Sequence, residues 1–179
     1  MIKVFKFGGT SIKDKESIKR VTEIISSYSE DKLVIVFSAM GKVTNMLEEV
    51  TEAYVQKNGQ AENKLQVVKD FHAHLLGELF DSNNSIYNEV NNLFVEIEWV
   101  LEDEPNPDFA FNYDQIVSIG EMLSTKIMSA YLSENGFENS WLDARDIIRT
   151  DNKYRNAKID WEQTITFCKD KIIHFPIIT

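Results

Sequence analysis

Apolar positions follow two spacings in the first 55 residues. Residues 2–7 and 32–38 are short apolar runs, and each predicts a strand covered by neighbouring structure. Helical spacing of apolar residues follows each run, and Asp14 is a suitable N-cap for the first helix. The two apolar faces comprise Ile18, Val21, Ile24, Ile25 and Tyr28, and then Val43, Met46, Leu47, Val50 and Tyr54. Strand–helix–strand–helix order predicts an α/β fold with a mainly parallel sheet and right-handed crossovers.

The remaining pattern is mainly helical. Residues 61–104 predict a helical hairpin inserted into the α/β fold, because two helical stripes flank the turn-forming segment 81–85. The stripes comprise Leu65, Val68, His72, Leu75 and Leu79, and then Ile86, Val90, Leu93, Ile97 and Val100. Pro105 and Pro107 end the hairpin. The acidic run 102–104 favours a solvated surface.

A long helix is predicted from about Asp114 to Asn135, with Gly136 as its C-terminal cap. Residues 137–144 favour a strand, and residues 160–172 favour a helix. The pattern of residues 145–160 predicts neither a helix nor a strand. The last five residues, 175–179, resemble a strand that is just beginning, and we therefore expect the chain to stop inside a larger domain.

Composition narrows the class of protein. The chain has 179 residues, enough for one domain or one large piece of a domain. Its formal net charge is −10, which argues against a dedicated nucleic-acid-binding protein. The single cysteine, Cys168, favours the reducing cytoplasm, and neither a signal region nor a run long enough to span a membrane is found.

The first segment with candidate chemistry is KFGGTS, residues 6–11. A strand that ends in two glycines before a helix exposes backbone N–H groups, which can bind an anion. Lys6 at the strand end could contact a transferring phosphoryl group, and Thr10 and Ser11 add hydroxyl groups. The alternative is an ordinary turn with a solvated lysine. The GxxxxGK[ST] and GxGxxG patterns are both absent.

The second segment is SAMGKVTN, residues 38–45, at the end of the second strand. Ligands bind at the carboxyl ends of parallel strands, and Thr44 near a helix N-terminus could receive a substrate carboxylate. The alternative is that Ser38 or Thr44 only caps that helix.

The third segment is SIGEML, residues 118–123, predicted to lie in the middle of the long helix. Glu121 shares a half-apolar face with Val117, Ser124 and Met128 and therefore needs a partner, which a substrate ammonium would supply. Gly120 costs helix stability, and so indicates that something approaches closely there. The alternative is a partly exposed glutamate with a lysine or water partner.

Other candidates are weaker. His72 and His74 point to different faces of one helix and cannot share a metal ion. Asp143, Arg145 and Asp146 cluster near a strand end, where a structural ion pair is the simpler interpretation.

Taken together, these segments resemble the amino-terminal part of an aspartate kinase of the amino-acid kinase superfamily. The resemblance rests on KFGGTS at 6–11, SAMGKVTN at 38–45, SIGEMLSTKIMSAYL at 118–132 and WLDARDIIRTD at 141–151. It covers residues 1–179, and the four segments are specific only jointly. It implies a three-layer α/β/α sandwich and ATP-dependent phosphorylation of the L-aspartate side chain, which opens the pathway to lysine, methionine and threonine.

The resemblance also implies a role for each matching residue. The ATP phosphates would be contacted by Lys6, Phe7, Gly8, Gly9 and Thr10, and Lys6 would stabilise the transferring group. Aspartate would be held by Ser38, Thr44 and Glu121, with Glu121 on its ammonium group. The nucleotide phosphates would hold most of the Mg²⁺ coordination, and no protein metal ligand is expected. The complete enzyme is expected to be a homo-oligomer.

Parts of the family pattern are not found in this sequence. The nucleotide-binding half, with a later glycine-rich segment that carries an arginine and an aspartate, is absent, and so are the regulatory ACT domains. We therefore expect the 179-residue chain alone to have little or no kinase activity.

Two other functions stay open. One is a superfamily kinase that acts on glutamate, acetylglutamate or a nucleoside monophosphate. The other is a non-catalytic binding or assembly module that uses the helical region 43–135 as its partner surface.

Overall fold

A parallel four-stranded sheet organises the protein. The computed structural model describes residues 2–172 and 174–179. Strands β1 (Ile2–Phe7), β2 (Lys32–Phe37), β3 (Ser140–Trp141) and β4 (Ile177–Ile178) lie in the order β1-β2-β4-β3, and each neighbouring pair is parallel. The β1–β2 register pairs Ile2 with Lys32 and Phe7 with Phe37. The two strands predicted first thus lie side by side, with their carboxyl ends at the same edge of the sheet.

Strand β1 is less buried than its apolar sequence predicts. Val4 is 66% exposed and Ile2 is 49% exposed, whereas Phe5 and Phe7 on the opposite face are half-buried against the core. The prediction that this strand is covered was wrong for the face that carries Ile2 and Val4, which the described residues leave exposed. Strand β2 has neighbours on both sides, and Leu33, Val34 and Ile35 are buried in it.

Seven helices accompany the sheet within the described residues. They are α1 (Lys15–Ser26), α2 (Val43–Val55), α3 (Ala61–Leu79), α4 (Ile86–Glu102), α5 (Phe109–Val117), α6 (Ile119–Glu134) and α7 (Trp161–Lys171). The predicted hairpin is confirmed as α3 and α4, and α6 packs against β2, β3 and β4. Two 3-10 turns, Gly9–Ile12 and Ala144–Asp146, follow β1 and β3.

Helix α1 begins and packs largely as predicted. The Asp14 side chain accepts the Ser17 N–H at 2.8 Å, which confirms the N-cap. Ile18, Val21 and Ile25 are buried. The face does not include Ile24, which is 47% exposed within the helix, or Tyr28, which is 38% exposed and lies beyond the end of the helix at Ser26.

The long helix predicted from residue 114 is two helices. The Asp108 side chain accepts the Ala110 N–H and caps α5, so helix begins at Phe109. Ser118 separates α5 from α6, and this places Glu121 in the first turn of α6 and not in the middle of a helix. Apolar periodicity hid the break because buried residues continue through it. Gly136 adopts φ +81 after α6 and confirms the predicted C-terminal cap.

Irregular backbone connects α6 to the last strand. The strand predicted over 137–144 covers only Ser140–Trp141, because Asp143 accepts the Arg145 N–H and starts a 3-10 turn. Residues 145–160 contain one isolated bridge, between Thr150 and Ile159. Helix α7 confirms the helix predicted over 160–172. In the part of the chain described, no helix is both long and apolar enough to cross a membrane.

Candidate active site

Three segments that carry candidate chemistry meet around Ala39. The Ser38 N–H donates to the Phe7 carbonyl at 3.1 Å, and the Gly41 N–H donates to the Gly9 carbonyl at 3.0 Å. The Ala39 N–H donates to Oε1 of Glu121 at 3.4 Å. The loop after β1, the loop after β2 and the first turn of α6 therefore form one connected region at the carboxyl edge of the sheet.

Lys6, near the end of β1, and Gly8, which follows that strand, lie side by side. The Lys6 ammonium lies over Gly8, at 3.4 Å from the position that a Cβ atom would occupy there. Lys6 and Thr10 are both exposed. The carboxyl end of β1 thus presents a cation beside the half-buried backbone of Gly8.

Gly9 has a packing role that the sequence did not indicate. A Cβ atom at Gly9 would be 2.4 Å from the Ala39 carbonyl oxygen and 3.0 Å from that of Gly41. A side chain would therefore separate the two loops. Close approach of another backbone explains this glycine without any ligand.

Ser38 and Thr44 lie on the loop after β2 and in the first turn of α2. Both are half-buried. The N-cap residue of α2 is Lys42, and no side chain caps this helix. The interpretation that Ser38 or Thr44 serves only as the cap of α2 is therefore wrong.

Glu121 is a half-buried carboxylate. Burial raises its pKa, and the Ala39 N–H only partly opposes that shift. Within the described residues, no lysine or arginine nitrogen lies within 4.0 Å of it. The lysine partner weighed as an alternative is thus not found, and the carboxylate is suited to a cationic ligand.

A largely apolar cavity of about 450 Å³ lies beside Glu121. Its other lining residues come from β2, from Ser118 and α6, from β3 and the segment after it, and from Thr179. They include Met122, Thr125, Trp141, Asp143 and Arg145. Lys6, Ser38 and Thr44 do not line it. The assignment of Lys6 to the phosphates, and of Thr44 and Glu121 to aspartate, stays a prediction, supported by the contacts between their loops.

The Asp143–Arg145 pair forms one wall of this cavity. The Arg145 Nε donates to both Asp143 oxygens, at 3.1 and 3.0 Å, and Nη2 donates to Oδ2 at 2.7 Å. Burial alone would raise the pKa of Asp143, but these hydrogen bonds hold it below its usual value. The predicted ion pair is confirmed, whereas Asp146 pairs instead with Lys171. The sequence did not indicate that the Asp143–Arg145 ion pair lines the same cavity as Glu121.

The histidines do not form a metal centre. His72 is fully buried, and His74 is exposed beside Glu78. Within the described residues, no group of three or more His, Cys, Asp or Glu side chains could hold a metal ion.

The fold and this region place the chain in a known family. The profile described as "Amino acid kinase family" matches residues 1–179, and the chain belongs to that family. The chain is 33% identical over 161 residues to "Aspartokinase 2, chloroplastic" of Arabidopsis thaliana, covering 87% of this chain and 29% of that protein. It is 29% identical over 159 residues to "Lysine-sensitive aspartokinase 3" of Escherichia coli, covering 89% and 34%.

Solved structures agree with the fold. Escherichia coli aspartokinase III, in complex with aspartate and ADP, matches with a TM-score of 0.85 and 26% identity, over 97% of this chain and 38% of that one. The same enzyme with lysine and aspartate also gives a TM-score of 0.85. The predicted fold class is confirmed, and the chain spans between 29% and 38% of the length of these relatives.

Proposed function

We propose that this chain provides the amino-acid-binding part of an aspartokinase, which transfers the γ-phosphoryl group of ATP to the side-chain carboxylate of L-aspartate. Similarity to aspartokinases over most of the chain supports the substrate. The observation that carries the proposal is the meeting of the loops after β1 and β2 at Ala39, where Glu121 accepts an N–H.

The phosphates would lie at the loop after β1. Lys6 is exposed and offers an ammonium over Gly8, and the first amides of the turn that begins at Gly9 have no acceptor within that turn. In this proposal Lys6, Phe7, Gly8, Gly9 and Thr10 contact ATP. Mg²⁺ would neutralise phosphate charge and would be held mainly by the phosphates.

The amino acid would lie between the loop after β2 and α6. Glu121 is half-buried and has no basic partner, so an ammonium group would offset the cost of its burial. Thr44, in the first turn of α2, and Ser38 would hold a carboxylate of the substrate.

The chemistry needs positioning more than acid or base catalysis. A side-chain carboxylate oxygen of aspartate bonds to the γ-phosphorus while the bond from that phosphorus to the bridging oxygen breaks, giving 4-phospho-L-aspartate and ADP. Lys6 would stabilise charge on the transferring group. The product would enter lysine, methionine and threonine synthesis. We expect the complete enzyme to be a homo-oligomer in the cytoplasm.

Binding of L-aspartate, measured by calorimetry, tests this proposal on the chain itself. Glu121→Ala and Thr44→Ala are each expected to weaken binding by tenfold or more, because each removes a charged or polar contact worth about 1.5–3 kcal/mol. The exposed Glu23→Ala and Thr166→Ala are matched controls. Equal affinity in all five proteins would remove the site assignment.

Two further measurements separate the alternative functions. Tighter binding of glutamate or acetylglutamate than of aspartate would favour another kinase of the superfamily. Dimers that form regardless of aspartate, in a chain that binds none, would favour an assembly module.

A further inference from the structure

Gly120 lies against the loop after β2. A Cβ atom at this position would be 3.1 Å from the Cβ of Ala39, 3.1 Å from Cδ1 of Leu47 and 3.4 Å from Cγ1 of Val43. The leucine and valine atoms are ends of side chains that can rotate. The Ala39 Cβ is fixed to the backbone and cannot move without moving the loop.

Ala39, the loop residue closest to Gly120, also contacts Glu121, which follows Gly120 in the chain. Its N–H donates to Glu121 Oε1, while its Cβ faces Gly120. The hydrogen bond is already long at 3.4 Å, so a small increase in the separation between loop and helix would break it. At the separation that permits this bond, a Cβ atom at residue 120 would be closer to Ala39 than an ordinary contact, so the loop would have to shift by a few tenths of an ångström.

A glycine in the first turn of α6 is otherwise unfavourable. It lacks the helix propensity of alanine, and its φ is not in the left-handed region, so backbone conformation does not require it. The close approach of Ala39 is therefore what favours a residue without a side chain at this position.

We propose that Gly120 is a positioning residue, which brings the Glu121 carboxylate to the Ala39 N–H and so fixes where a substrate ammonium is received. The last step rests on the proposed function, whereas the positioning of Glu121 does not. Gly120 would contact no substrate itself.

The direct test follows the Ala39 amide by NMR as pH is varied. In the unmodified chain the Ala39 amide shift is expected to titrate with the Glu121 carboxyl group, and Glu121→Gln should abolish that titration. Gly120→Ala should reduce its amplitude. Gly77→Ala is the matched control, because Gly77 lies in α3 with nothing within 4 Å of an added Cβ.

The second readout is the dissociation constant for L-aspartate in the same variants. Gly120→Ala is expected to weaken binding by about tenfold, because a displaced Glu121 carboxylate would lose its charge-assisted contact with the substrate ammonium. If Glu121→Gln leaves binding unchanged, the proposed function fails while the amide titration still decides the positioning role. If Glu121→Gln weakens binding and Gly120→Ala alters neither readout, the inference about Gly120 is wrong.

A double variant checks that Ala39 is the contact concerned. Ala39→Gly removes the Cβ that Gly120→Ala would meet. The combined variant should recover part of the amide titration lost in Gly120→Ala alone. A double variant that shows no recovery would assign the loss to Leu47 or to helix geometry and would overturn the proposed contact.

Discussion

Gly9 lies against the carbonyl oxygen of Ala39, and a Cβ on Gly9 would be 2.4 Å from that oxygen. Gly8, the preceding residue, meets only the Lys6 ammonium, at 3.4 Å. The two adjacent glycines therefore differ in their surroundings: one faces fixed backbone, and the other faces the end of a flexible side chain.

Gly9→Ala is expected to lower the free energy of unfolding by about 1–3 kcal/mol, the usual cost of an overpacked position. Gly8→Ala should change it little, because Gly8 has φ −80 and ψ 166, which alanine adopts readily, and the Lys6 side chain can move. Urea denaturation of both variants measures the difference. Equal loss of stability would contradict the packing role assigned to Gly9.

His72 makes the helical hairpin sensitive to acid. Its Nδ1 lies 2.8 Å from the Val68 carbonyl oxygen, whereas Nε2 is buried without a partner among the described residues. Burial lowers the pKa of His72 to about 4 from an ordinary value of 6.5. Because the unfolded chain takes up the proton more readily, this residue reduces stability as the pH falls from 6.5 towards 4.

The loss amounts to about 3 kcal/mol by pH 4, since each pKa unit corresponds to about 1.4 kcal/mol. His72→Leu removes the titrating group, so its free energy of unfolding should rise relative to the unmodified protein by that amount between pH 7 and pH 4. Chemical denaturation at several pH values measures this. His74→Leu, at an exposed site, is the control, and a parallel pH dependence of His72→Leu and the unmodified protein would exclude the assignment.

The fold was largely predictable because the segments with the most regular apolar spacing are those whose apolar residues are buried in the core. The hairpin stripes through Val68 and Ile97 are buried as predicted. The burial of strand β1 was predicted wrongly because an apolar run does not show whether both faces of a strand are covered. The break at Ser118 was invisible since Ile116 and Ile119, on either side of it, are both buried.

The sequence indicated which segments form the site, but only partly how their residues are arranged in space. The helix penalty of Gly120 correctly indicated a close approach, and the Cβ of Ala39 is what approaches. The cavity wall formed by Trp141 and Arg145 was not predicted, because it depends on how the segment after β3 crosses α6. Such contacts between distant residues have no local signature in the sequence.

Trp141 joins that segment to α6. Its Nε1–H donates to Thr125 Oγ1 at 3.0 Å, and the Lys126 ammonium lies 4.0 Å from its ring centroid. Trp141→Phe keeps an aromatic ring and removes the hydrogen bond, so we expect a loss of about 1 kcal/mol in the free energy of unfolding. Urea denaturation measures it against Trp161→Phe, whose tryptophan is 65% exposed. No difference between the two variants would show that the hydrogen bond does not stabilise the protein.

Glu121 should reduce stability at neutral pH. Burial raises its pKa above the ordinary value of 4.5, so the folded protein favours the protonated carboxyl, and stability falls as pH rises through the folded-state pKa. Glu121→Gln stays neutral, so its stability relative to the unmodified protein should increase from pH 4.5 upwards and then level off. Aspartate affinity should fall in the same variant, whereas the exposed Glu23→Gln should show neither change. A stability difference independent of pH would mean that the carboxylate is not destabilised by burial, and the argument for a cationic ligand beside it would lose its physical basis.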